Sequence, residues 1–105
     1  MIVYEVNLEV DAAVAGPFGE WLAVHVREML TLPGFVSATW YRELDRDEPG
    51  DARWCVQYQL ASRADLEEYF TVHAERMRGE GLAHFADRFR ASRRVLEPVE
   101  AFEAG

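Results

Sequence analysis

Ile2, Tyr4, Val6, Leu8 and Val10 alternate with Val3, Glu5, Asn7 and Glu9, the two-residue period of a strand that buries one face. The spacing predicts a first strand over Ile2 to Val10. After Asp11 the period lengthens. Phe18, Trp21, Leu22, His25, Val26, Met29 and Leu30 fall on one stripe, because residues three and four apart share a helical face. Pro17 suits an early helical position, and Leu32-Pro33-Gly34 ends the helix. Phe35 to Leu44, rich in β-branched and aromatic residues, reads as a second strand with Val36, Ala38, Trp40 and Leu44 in phase. The polar stretch DRDEPGDA, with Pro49-Gly50 inside it, reads as a hairpin loop. It leads into RWCVQYQLA, where Trp54, Val56, Tyr58 and Leu60 alternate with Arg53, Cys55, Gln57 and Gln59.

Ser62 followed by Asp65 resembles a capping box, and Leu66, Tyr69, Phe70, His73, Ala74 and Met77 share the helical face that follows. Gly79 and Gly81 are expected to interrupt that helix, with Leu82, Phe85 and Ala86 forming a further short stretch. A last strand begins near Arg88; the run Val95-Leu96 blurs its alternation and predicts a bulge or an edge position, which Pro98 also fits. The order βαββαβ is α+β and ferredoxin-like: two helices on one face of a four-stranded antiparallel sheet, in one domain over residues 1–105. Right-handed crossovers make strands one and three central and strands two and four the edges.

Helices on one face leave the other to water or a partner. The apolar sets of strands one and three should lie under the helices. The open face then carries Val3, Glu5, Asn7, Ser37, Thr39, Tyr41, Cys55, Gln57 and Gln59, too mixed for a dry core and less charged than free surface, which predicts a homodimer through this face. Half of the 105 residues are hydrophobic and 12% aromatic, and 19 acidic against 11 basic residues give a net charge of -8. That balance opposes nucleic acid and anionic lipid rather than recruiting them. The start MIVYEVNLEV lacks a signal-peptide pattern, and no run approaches the ~18 apolar residues of a membrane span. Cys55 has no second cysteine to pair with, so a cytoplasmic protein is expected, with Cys55 a small half-buried strand residue rather than a nucleophile.

MIVYEVNLEVD, LPGFVSATWYREL, WCVQYQLASRADLEEYFTVHAERMR and HFADRFRASRRVLE together resemble a bacterial domain-of-unknown-function family of the dimeric α/β-barrel superfamily. More distantly, the Pro33-Gly34-Phe35 turn and the Ser-x-x-Asp-Leu helix carrying a histidine resemble the antibiotic-biosynthesis-monooxygenase-like branch. The resemblance implies homodimers whose two sheets pack into a barrel, a fold shared by cofactor-independent oxygenases, isomerases, haem-degrading enzymes and non-enzymatic ligand binders. It carries over no catalytic motif.

His25 and His73 lie on the sheet-facing stripes of different helices, so both are candidates to reach one helix-sheet cavity as catalytic bases; each could equally be a core residue satisfied by one hydrogen bond. Tyr4, Trp40, Trp54 and Tyr58 would line that cavity with apolar walls and a few polar tips, and Arg42 would anchor a ligand anion. His84, three residues before Asp87, reads as exposed helix-end decoration or as a paired general base. Arg88, Arg90, Arg93 and Arg94 read as charges protecting an edge strand. No metal site is expected, since Glu5 alternates away from the histidines' side of the sheet, and no cofactor is expected either. Two functions remain: a non-enzymatic small-ligand-binding or structural module taking a small apolar or aromatic molecule, or a cofactor-independent oxygenase, isomerase or lyase.

Overall fold

A computed structural model of the chain describes residues 1–44 and 50–105. Its strands are β1 Ile2–Val10, β2 Phe35–Arg42, β3 Ala52–Leu60 and β4 Phe89–Leu96, paired antiparallel in the order β2-β3-β1-β4. α1 Ala15–Met29 follows β1 after a short 3-10 turn at Ala12–Val14, and α2 Arg63–Val72 and α3 Ala74–Phe85 lie between β3 and β4. This is the expected α+β ferredoxin-like arrangement, with β1 and β3 in the centre. The expected hairpin loop includes residues 45–49, Pro49 among them, which lie outside the described residues.

Register explains the core. Tyr4 lies opposite Tyr58, Val6 opposite Val56 and Leu8 opposite Trp54, so the apolar sets of both central strands share one face. Tyr4, Tyr58, Val56 and Leu60 are almost wholly buried there, under Phe18, Leu22 and Met29 of α1, Leu66 and Tyr69 of α2 and Met77 of α3. The Ser62 hydroxyl accepts from the Asp65 backbone N–H at 3.2 Å, the cap expected for α2. Gly34 has φ +84, and a Cβ there would sit 2.3 Å from the Cβ of Asp65. Only glycine fits this turn, which carries the chain past the start of α2 into β2.

Three local expectations are corrected. Of the two readings of Val95-Leu96 the edge position holds, since β4 is an edge strand, and the bulge does not; it lies in β2, where Phe35 pairs with Leu60 and Ser37 with Gln59, leaving Val36 as the extra, exposed residue. The face under the helices is therefore Phe35, Ala38 and Trp40, and Leu44 lies past the strand end, exposed. β4 keeps its register through Leu96 opposite Val3. The helical break falls at His73, which ends α2 and begins α3, while Gly79 and Gly81 lie inside α3. The change of direction at His73 lets Tyr69 before it and Ala74 and Met77 after it all bury against the sheet.

Candidate functional site

Between the helices and the sheet lies a cavity of about 280 Å3, the volume of roughly nine waters. β1 and β3 supply its floor through Tyr4, Val6, Val56 and Tyr58, and α1 supplies Phe18, Leu22 and Met29. Met77 and Gly81 of α3 close one side, and Phe89 and Ala91 of β4 another. Gly81 sets the spacing of the helices, because a Cβ there would meet the Trp21 ring at 3.1 Å and the Phe89 ring at 3.3 Å.

Polar groups interrupt this apolar wall at few places. His25 lines the cavity from α1, its ring stacked on Trp21 with centroids 4.6 Å apart. Its Nδ1 is buried with no hydrogen-bond partner; the nearest acid, Glu80 of α3, is 3.7 Å away, beyond hydrogen-bond length. Burial holds the His25 pKa below the usual imidazole value, against the pull of Glu80 and Glu28, so the ring is neutral at pH 7. Tyr58 and Tyr69, also on the cavity wall, are buried phenols whose pKa values are raised chiefly by desolvation, so they too stay neutral. The Tyr4 hydroxyl accepts from Arg78 Nη2 at 3.2 Å.

Of the residues singled out from the sequence, His25, Tyr4 and Tyr58 line this cavity, and His73, Trp40, Trp54 and Arg42 do not. His73 is the joint between α2 and α3, with its Nδ1 3.4 Å from Arg76. Arg76 in turn pairs with Glu28 and Glu80, and Glu80 stands 3.7 Å from His25 Nδ1, so a chain of charges links His73 to His25. Trp40 and Trp54 meet edge to face, 4.9 Å apart, and cover Gly19 of α1, which spends their area on holding the helix rather than on lining a void. Arg42 ends β2 and borders a wider depression of about 710 Å3 with Trp54, Cys55 and Arg90. His84 is exposed in the last turn of α3, with no hydrogen bond to Asp87 among the described residues. Reasoning from the sequence missed Tyr69, Arg78 and Arg93 as cavity residues. The available signal for Arg93 was its phase with Phe89, Ala91 and Val95 on β4.

A second polar centre occupies the open face. Glu5 is 3% exposed and accepts from Asn7 Nδ2 at 3.0 Å, from Gln57 Nε2 at 2.9 Å and from the Arg94 guanidinium. The bonds from Arg94 and Asn7 outweigh the cost of burial and lower its pKa to about 2. Burial and the Glu5 carboxylate push the neighbouring Cys55 thiol up to about 11, so it is protonated at neutral pH and a poor nucleophile. Among the described residues no three or more His, Cys, Asp or Glu side chains are grouped to hold a metal ion, and no helix is long and apolar enough to cross a membrane.

The sheet order and the one-sided helical layer place the chain with the antibiotic-biosynthesis-monooxygenase-like ferredoxin folds. SnoaB, a cofactor-independent oxygenase from Streptomyces nogalater, superimposes with a TM-score of 0.70 at 14% identity, covering 98% of both chains. A putative antibiotic biosynthesis monooxygenase from Deinococcus radiodurans gives 0.71 at 13% identity, over 100% of this chain and 99% of that one. An ethyl tert-butyl ether D family protein from Bacillus halodurans gives 0.66 at 17%, over 94% and 100%. At such identities the likeness is one of fold. The chain belongs to the DUF4286 family, a domain of unknown function, whose pattern matches residues 1–99. No curated protein matches it.

Proposed function

We propose that this chain is a small-ligand-binding domain that takes an apolar or aromatic molecule into the helix-sheet cavity and works as a homodimer joined through its open sheet face. Residues 1–105 act as one folding unit in this reading, since the first strand lies at the centre of the sheet. The observation that carries it is His25: a cavity-lining ring whose buried Nδ1 makes no hydrogen bond, with Glu80 3.7 Å away. An unmade buried hydrogen bond costs about 1–3 kcal/mol, a cost that packing alone would select against and a bound polar group would offset. Support for the dimer comes from Glu5, whose hydrogen bonds are already satisfied from within the open face, so that covering it leaves no orphaned charge.

The same histidine favours a second reading. Neutral at pH 7 and walled by apolar groups, His25 has the properties of a general base for cofactor-independent oxygenation, isomerisation or lyase chemistry on an acidic phenol or quinol. His73 would then act only by positioning, through Arg76 and Glu80.

Thermal-shift screening with phenols, quinols and small aromatic acids tests the binding reading; a ligand at ~100 times its dissociation constant should stabilise by about 2.7 kcal/mol. Ala91→Phe, which fills the cavity from β4, should keep the far-ultraviolet spectrum and lose the shift. A shift that survives Ala91→Phe would place the ligand elsewhere. Oxygen uptake or isomerisation that is lost in His25→Ala while binding persists would favour the enzyme, and equal background rates in both proteins would leave the binding module.

A further inference from the structure

Two of the cavity's lining residues are arginines, Arg78 of α3 and Arg93 of β4. Both are exposed as residues yet border the cavity, so they stand at its rim. In a chain with 19 acidic residues, Arg53, Arg63, Arg76, Arg88, Arg90 and Arg94 each pair with a carboxylate. Among the described residues Arg27, Arg42, Arg78 and Arg93 form no ion pair, and of these Arg78 and Arg93 line the cavity. Arg78 is instead held by the Tyr4 hydroxyl at 3.2 Å and lies 5.9 Å from the centre of the Phe70 ring. Arg93, opposite Val6, is turned to the helix side of β4, while its neighbours Arg90 and Arg94 use the other side to pair with Glu9 and Glu5. Both guanidinium groups border the cavity that Tyr69 lines, one from α3 and the other from β4, and each favours the ionised form of that phenol.

We propose that the cavity's ligand is a small apolar acid, its carboxylate held at the rim by Arg78 and Arg93 and its body lying among Val6, Leu22, Val56 and Met77. This rests on the binding reading above and adds the chemical class of the ligand. A guanidinium fork matches a planar carboxylate by two parallel hydrogen bonds. Partial shielding from water makes each bond stronger than at an open surface, and the neutral phenols and imidazole inside offer nothing to repel an anion. The edge-protection role first assigned to Arg93 does not require it to be unpaired or to border a void.

Isothermal titration with benzoate and 2-naphthoate against benzamide and 2-naphthamide, acids and their neutral look-alikes, tests it. The proposal expects the better acid to bind at least ten-fold more tightly than its amide. It also expects that acid to lose about ten-fold or more in affinity in both Arg78→Gln and Arg93→Gln, with the amide changed less than two-fold. Arg93→Lys, which keeps the charge and loses the fork, should fall between the native protein and Arg93→Gln. Amides that bind as tightly as the acids, or acid affinity untouched by either glutamine variant, would overturn the proposal and leave the binding reading intact. If neither acids nor amides bind while the native protein is folded, both fall together.

Discussion

Glu5 is a charge that the fold has taken out of water and paid for with four hydrogen bonds, from Asn7, Gln57 and two nitrogens of Arg94. Its folded pKa of about 2 lies below the ordinary 4.5, so protonation is harder in the folded state than in the unfolded one. The stability this supplies is present in full above about pH 4.5 and drains away as pH falls toward 2. Arg94 is largely exposed, which limits the amount to the order of 2 kcal/mol. Glu5→Gln should therefore melt below the native protein at pH 7, and the gap should close as the pH approaches 2. A gap that stays constant from pH 7 to 2.5 would show that the carboxylate's charge contributes nothing. Alternation in the sequence put Glu5 on the open face beside Asn7 and Gln57, but not its burial, because the partner that covers it, Arg94, comes 89 residues later.

At the level of elements, α3 separates what local pattern can show from what packing decides. Gly79 and Gly81 read alike as helix breakers, yet both lie inside the helix. Their surroundings differ: beyond its chain neighbours and its own helix backbone, nothing lies within 4 Å of the place a Cβ would take at Gly79, whereas at Gly81 the Trp21 and Phe89 rings are in the way. Gly79→Ala should raise stability by about 0.5–1 kcal/mol through helix propensity. Gly81→Ala should gain less or lose, since two aromatic rings must give way, and equal gains at both positions in urea unfolding would contradict the packing described. The regular strands β1 and β3 were legible apart from the burial of Glu5, because the apolar residues of each face the helices and the period of two carries no bulge. β2 was less so. The bulge at Val36 shifts its phase within two residues of the start, and no local signal marks it. The cavity was legible through His25, Tyr4 and Tyr58, which follow helical and strand phase. The packing of Trp40 and Trp54 on Gly19 beside the cavity, and of His73 at the joint between two helices, was not, since it depends on how α1 crosses the sheet and where α2 turns into α3.

Across the whole molecule the sheet separates a cavity under the helices from an open face, which the proposed dimer would cover. Gln57 donates to Glu5 near the middle of the open face, so Gln57→Arg would insert a charge there and unpair the network. Sedimentation equilibrium at micromolar concentration should show twice the monomer mass for the native chain, as an obligate contact burying over ~2,000 Å2 would give, and a shift toward monomer for Gln57→Arg. A native chain that stays monomeric at high concentration would remove the dimer from the account.

Entry of a small molecule into the space between helices and sheet would be reported by the three methionines of the chain. Met29 and Met77 line the cavity at 2% and 0% exposure, whereas Met1 is 60% exposed at the start of the chain. With 13C-labelled methionine methyl groups, titration of 2-naphthoate should move the Met29 and Met77 signals together along one binding curve and leave Met1 in place. Saturable binding that leaves Met29 and Met77 unmoved would put the ligand outside the cavity and contradict the account.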